Sequence, residues 1–145
     1  MSQPTDPQAD AVYAAEAAAQ RHFAPRQFES FAEVDAFVQQ VVCSEYWDAR
    51  FPNAPIQTSV QRRSRNATYS AGGRQADVGV LWLIDGYHWN SLAVLHELSH
   101  IAVGGDDPYD HGAKFRTAEL DLVREFVGVQ MFGELAVAFT AALGS

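Results

Sequence analysis

Residues 91–103 read SLAVLHELSHIAV, and the fold that we predict for the chain depends on this segment. It is rich in apolar residues and in strong helix formers, and it ends at Gly104-Gly105, which is typical of a helix C-terminus. His96 and His100 are four residues apart, so on a helix both imidazoles project from one face, one turn apart. The sequence therefore predicts a helix that offers two converging nitrogen ligands.

Glu97 lies between these histidines and makes HELSH an instance of the H-E-x-x-H pattern of zinc hydrolases. In that pattern the glutamate acts as a general acid/base toward a water molecule bound to the metal. Because a helix turns by about 100° per residue, Glu97 reaches the rim of the site and does not join His96 and His100 as a ligand. Apolar neighbours would bury the helix; they are Leu95, Leu98, Ile101 and Ala102. The motif predicts zinc as the cofactor and Glu97 as the catalytic acid/base.

A catalytic zinc usually takes three protein ligands and keeps a fourth position open, so a third ligand is required. The metzincin pattern places it six residues after the second histidine, where this chain has Asp106. A glutamate from a following helix, Glu119 or Glu125, is another option. His111 follows a ten-residue connection with two glycines and a proline, long enough to turn back over the helix. Imidazole binds zinc better than solvated carboxylates do, and we expect His111 to complete the site.

The motif segment, about residues 92–120, resembles the SprT-like zinc metallopeptidases, in which HExxH precedes a histidine in an HGxxF context. Here that context is His111-Gly112-x-x-Phe115. In length and layout the whole chain is similar to a family of small bacterial metallohydrolases with an alanine-rich first helix, a short sheet and a VLHELxH helix. The resemblance implies that Glu97 is the catalytic acid/base and that Phe115 packs beneath the site. It implies three zinc ligands: His96, His100 and His111. The chain lacks the cysteine-bearing extensions of the SprT proteins and is acidic, which argues against their DNA-linked role.

Composition narrows the classes of function. With 145 residues and 48% hydrophobic content, we expect a single domain over 1–145 with a flexible N-terminus over about 1–6. Cys43 is the only cysteine, which excludes a four-cysteine zinc site. A net charge of −8 argues against tight, non-specific binding of nucleic acid. Without a membrane-length apolar run or a signal-peptide pattern, a cytoplasmic protein is expected.

The hydrophobic and turn-residue patterns in the rest of the sequence predict an α+β, zincin-like fold. In this fold a small sheet of about three strands packs against the HExxH helix, and N- and C-terminal helices flank them. Ser30 and Glu33 form a capping-box pattern before an apolar helical run that reaches Val42. The predicted strands are 56–61, 67–70 and 77–84, with a Gly-Gly turn before the third. Other helices are predicted over 8–23, over about 112–127, and over about 132–143 after breaks at Gly128 and Gly133.

Two segments of the sequence each allow two interpretations. Four arginines between Arg62 and Arg74 would form a basic hairpin that is either merely solvated or binds an acidic partner. The strand VGVLWLI (78–84) either lies in the core or pairs with an extended peptide by strand addition.

The leading prediction is a zinc-dependent hydrolase, a metallopeptidase acting on a peptide or protein substrate through water activated by Glu97. The alternative is a zinc-stabilised binding or regulatory module without hydrolytic activity. A hydrolase commonly needs a second donor to the developing oxyanion, for which Tyr109, Tyr69 and His88 are the options. The substrate and the oligomeric state stay undetermined.

Overall fold

The computed structural model describes residues 8–66, 70–85, 89–104 and 111–144. Within these ranges the chain has the predicted α+β character, with six helices and a three-stranded mixed sheet. The helices are α1 (Ala9–Gln20), α2 (Phe31–Val42), α3 (Glu45–Arg50), α4 (Ser91–Val103), α5 (Ala113–Phe126) and α6 (Val129–Leu143). The strands are β1 (Gln57–Arg63), β2 (Ala71–Gln75) and β3 (Val78–Ile84). None of the helices in the described ranges has the length and apolar character needed to span a membrane. The predicted flexible segment 1–6 lies outside these ranges.

Strand β3 is the centre of the sheet, parallel to β1 and antiparallel to β2. Its apolar run is buried on both faces, with Val80, Leu81 and Leu83 at most 5% exposed. Because both of its edges are paired inside the sheet, β3 has no free edge for a peptide, and the strand-addition alternative for 78–84 is wrong. Its apolar character is explained by burial.

The second strand differs from its prediction. Residues 67–69 lie outside the described ranges, and the strand begins at Ala71, so the predicted Gly-Gly turn at Gly72 and Gly73 is part of β2. The turn into β3 is instead at Ala76-Asp77, where Ala76 has a φ of 53°. Gly72 is required by packing, because a Cβ there would overlap the carbonyl oxygen of Glu97 and lie 2.8 Å from its carbonyl carbon.

Helix α4 lies directly on this sheet. A Cβ at Gly79 of β3 would lie 2.6 Å from Thr58 Oγ1 and 2.9 Å from Ile101 Cγ2, so a second glycine permits the close approach. Asn90 caps the helix, since its Oδ1 accepts a hydrogen bond from Ala93 N at 2.9 Å. Eleven residues of α4 are buried: Ser91, Leu92, and Val94 through Ala102. The motif helix is thus held on several sides.

The predicted basic hairpin is also wrong. Strands β1 and β2 are not paired with each other, since β3 lies between them. Arg62 forms an ion pair with Asp85 at 2.7 Å. Arg74 donates from Nε and Nη2 to the carbonyl oxygen of Ile101, at 3.1 and 2.7 Å, and so stabilises the last turn of α4.

The other helices complete the core around α4. Helix α5 packs on α4, and α6 packs on both α1 and α5. Helix α2 buries the predicted apolar face: Val34, Phe37, Val38, Val41 and Val42. Helix α3 was not predicted, and α6 begins at Val129, so Gly133 lies within it. Met131, Leu135 and Phe139, spaced by four residues, explain the longer α6, because one apolar stripe continues across the glycine.

Candidate metal centre

Three histidine side chains converge in the interior. His96 and His100 project from α4, and His111 lies two residues before α5. One nitrogen of each lies within 4.8 Å of one nitrogen of each of the others. All three residues are buried, with exposed fractions of 3%, 7% and 4%. The predicted ligands are therefore brought together from α4 and from the residues just before α5.

The spacing of two of these nitrogens suits a zinc ion. His96 Nε2 and His111 Nε2 are 3.3 Å apart. Two nitrogens at about 2.05 Å from a tetrahedral zinc are separated by roughly 3.3 Å. Three imidazoles are a donor set that zinc commonly takes in catalytic sites, and they are one ligand fewer than the four of a closed structural site. His96, His100 and His111 therefore fit a zinc ion.

The opposite nitrogen of His96 contacts two carboxyl groups. Its Nδ1 is 2.6 Å from Glu16 Oε2 and 3.6 Å from Glu119 Oε2. A proton on Nδ1 that is donated to Glu16 leaves the lone pair of Nε2 directed at the other two histidines. Glu16 and Glu119 thus orient His96 as a ligand.

Sequence reasoning missed Glu16 and considered Glu119 only as a direct ligand. The signal for Glu16 was present in α1, where Val12, Ala15 and Ala19 form a buried stripe that includes it. A glutamate inside an apolar stripe requires a buried partner. The structure supplies that partner in His96, 80 residues away along the chain.

Two buried carboxyl groups, those of Glu16 and Glu119, lie beside the histidines. Burial raises the pKa of Glu16 to about 7. Burial, and then the charge of Glu16, raise the pKa of Glu119 well above its ordinary value. Two adjacent buried carboxyl groups resist losing both protons unless a cation compensates them. A divalent ion on the other nitrogen of His96 would supply that compensation.

The pKa values of His100 and His96 are shifted in opposite directions. Burial, and then the charges of His96 and His111, lower the pKa of His100 to about 2, so this imidazole stays neutral and able to bind a metal. Burial also lowers the pKa of His96, but Glu97 and Glu119 outweigh that effect and the net shift is upward.

Glu97 is placed beside the histidines but outside their cluster. It is 7% exposed. Burial raises its pKa, against the opposing influence of His96 and Arg63. Its backbone carbonyl rests on Gly72 of β2, so sheet packing fixes the helical turn that carries it. A buried carboxylate with a raised pKa is a suitable general base near neutral pH.

Two aromatic rings enclose the histidines. Phe115, 1% exposed, contacts all three, with ring centroids 4.4 to 4.9 Å apart, as the resemblance implied. Tyr13 of α1 stacks on His96 at 5.2 Å and 17°, and lies 5.6 Å from His111. Tyr13 was not predicted to belong to the site. The N-terminal helix therefore contributes both a carboxylate and an aromatic ring.

The other predicted site residues fall elsewhere. Among the described residues, two groups of side chains lie close enough together to hold a metal ion: His96, His100 and His111, and Glu16, His96 and Glu119. Glu125 is exposed on α5 and belongs to neither group. Asp106, Tyr109, Tyr69 and His88 lie outside the described residues.

Glu16 provides the first testable prediction. Replacing Glu16 with Gln is expected to weaken zinc binding by about 10- to 100-fold, because the amide cannot hold His96 with a carboxylate's charge. Competition with a chromogenic zinc chelator measures this affinity. Glu125→Gln, the same change at an exposed position of α5, should leave it unaltered. Equal zinc affinity in Glu16→Gln and the wild type would show that Glu16 does not support His96.

Comparison with protein-family models, curated proteins and solved structures gave no match to this chain. The resemblance of the motif segment therefore stays a prediction. The geometry around His96, His100 and His111 is what supports a function.

Proposed function

We propose that this protein is a zinc-dependent hydrolase, specifically a metallopeptidase with a peptide or protein substrate. The observation that carries the proposal is the convergence of three buried histidines next to a fourth buried group, Glu97, that lies outside the cluster. A site that only binds a structural zinc is normally closed by four protein ligands and has no need of such a glutamate. The fold that we propose around it is zincin-like, with α4 as the motif helix.

The metal would be held by His96, His100 and His111. When bound, zinc would lower the pKa of a coordinated water molecule towards neutrality and polarise the substrate carbonyl. The described donor set, with its nitrogen ligands and buried surroundings, favours zinc over the oxygen-preferring cations magnesium and calcium.

The chain's own residues supply the rest. Glu97 accepts the proton of the attacking water and passes it to the leaving amine, a role that suits its raised pKa. Glu16 holds the Nδ1 side of His96, which keeps the imidazole in one tautomer and one orientation. Phe115 and the apolar residues of α4 exclude water from the inner side of the histidines.

A second candidate function is a binding or regulatory module in which zinc acts only as a clamp. It is favoured by the connections of the histidines, since a bound ion would join α4 to the start of α5, and Glu16 extends the link to α1. In that case zinc would contribute to folding stability and Glu97 would be dispensable.

Hydrolysis of a peptide mixture tests the proposal. The zinc-loaded protein is incubated with a mixture of unlabelled peptides of varied sequence, and new termini are identified by mass spectrometry. We expect cleavage that stops when zinc is removed by 1,10-phenanthroline and returns when zinc is restored. Zinc-loaded, folded protein that cleaves none of the peptides would favour the clamp.

A further inference from the structure

Tyr13 is the aromatic residue of the site that faces solvent. Its side chain lies over His96 and His111, yet the residue is 49% exposed, whereas Glu97 and the three histidines are at most 7% exposed. A ring that only filled the core would be buried like Phe115, which is 1% exposed. Tyr13 therefore stands between the histidines and the solvent from which a substrate arrives.

The Tyr13 side chain is held against two of the proposed metal ligands. Burial first, and then the charges of Glu97, Glu16 and Glu119, raise the pKa of Tyr13, so its hydroxyl keeps its proton. The ring stacks on His96 and contacts His111, so the Tyr13 ring stays beside both while α1 stays packed. Helix α1 is itself fixed, because Glu16, one turn further along, bonds to His96.

We propose that Tyr13 is a catalytic residue whose hydroxyl donates a hydrogen bond to the substrate carbonyl oxygen while negative charge develops on it. This inference rests on the proposed function and adds the second oxyanion donor that a hydrolase of this kind requires. Tyr13 keeps its proton throughout, so no bond of the tyrosine forms or breaks. The chemical class of ligand that it selects is a carbonyl or another oxygen that carries developing negative charge.

The structural alternative is that the Tyr13 ring only covers His96. Removal of the hydroxyl alone separates the two roles, because Tyr13→Phe keeps the stacking surface. Tyr46→Phe is the matched control, since Tyr46 on α3 donates its hydroxyl to the carbonyl oxygen of Asp121 at 3.3 Å, outside the histidine cluster.

The experiment measures binding of acetohydroxamate, whose oxygen takes the place of the substrate oxyanion, to the cobalt-substituted protein by visible absorption. Metal affinity is measured on the same samples by chelator competition. We expect Tyr13→Phe to bind acetohydroxamate about tenfold more weakly, with metal affinity unchanged within about twofold. Tyr46→Phe should match the wild type in both.

Two outcomes would overturn the proposal. Equal affinity for acetohydroxamate in Tyr13→Phe and wild type, or a loss that follows a matching loss of metal affinity, would leave Tyr13 with a covering role only. Failure of the wild type to bind cobalt or zinc at all would instead overturn the proposed function, and this inference with it.

Discussion

Replacing Glu97 with Gln is expected to lower peptide hydrolysis by about 10²- to 10⁴-fold, the usual contribution of a general acid/base, while zinc stays bound at full stoichiometry. The amide has nearly the shape of the carboxylate but cannot accept the proton of the attacking water. Zinc should remain because Glu97 lies outside the cluster of His96, His100 and His111. The peptide-cleavage assay and metal analysis of one preparation measure both quantities.

Glu125→Gln is the matched control for this prediction, since the same change on the exposed face of α5 should alter neither activity nor zinc content. Unchanged cleavage by Glu97→Gln would remove Glu97 from the mechanism. Loss of zinc from folded Glu97→Gln would instead make Glu97 a ligand, which contradicts the site as described.

Replacing Gly72 with Ala is expected to destabilise the protein by about 3 kcal/mol or more, at the upper end of the cost of overpacking. The added Cβ would meet the carbonyl oxygen of Glu97 and lie 2.8 Å from the carbonyl carbon and 3.1 Å from Cα. All three are backbone atoms, so a side-chain rotation cannot relieve the overlap. Helix α4 would have to shift away from β2 and carry His96 and Glu97 with it.

Thermal unfolding measures this effect, and Gly73→Ala is the control at the next position of β2. There the nearest atom to an added Cβ is Trp82 Cζ3 at 3.7 Å, an ordinary van der Waals distance. We expect a stability change within about 0.5 kcal/mol for Gly73→Ala. Similar melting temperatures for the two variants would show that α4 does not press on the sheet at Gly72.

The sequence predicted those parts of the site that depend on local geometry. The spacing of His96 and His100 places both on one face of α4. His111 returns to the cluster through a short connection, and Phe115 follows on the first turn of α5. These relations need only helix periodicity and chain length.

Relations between distant segments could not be predicted in this way. Glu16 meets His96 across 80 residues only after α1 has packed against the rest of the fold. Strand β2 was misplaced because Gly72 and Gly73 are typical of a turn, whereas close contact with α4 requires a glycine at position 72 within a strand. In both cases packing decides the position, and local propensity does not reveal it.

Zinc content provides the most direct test of the central claim that three histidines form an open metal site. Elemental mass spectrometry is applied to protein purified without an affinity tag or chelator, for wild type, His111→Ala and the control His22→Ala, which changes an exposed histidine. We predict about one zinc per chain in wild type and His22→Ala. In His111→Ala, the affinity for zinc should fall by more than about 100-fold, because loss of a residue that only hydrogen-bonds to a metal ligand already costs up to about 100-fold. A folded wild type that binds no zinc, or a His111→Ala protein that keeps it, would contradict the claim.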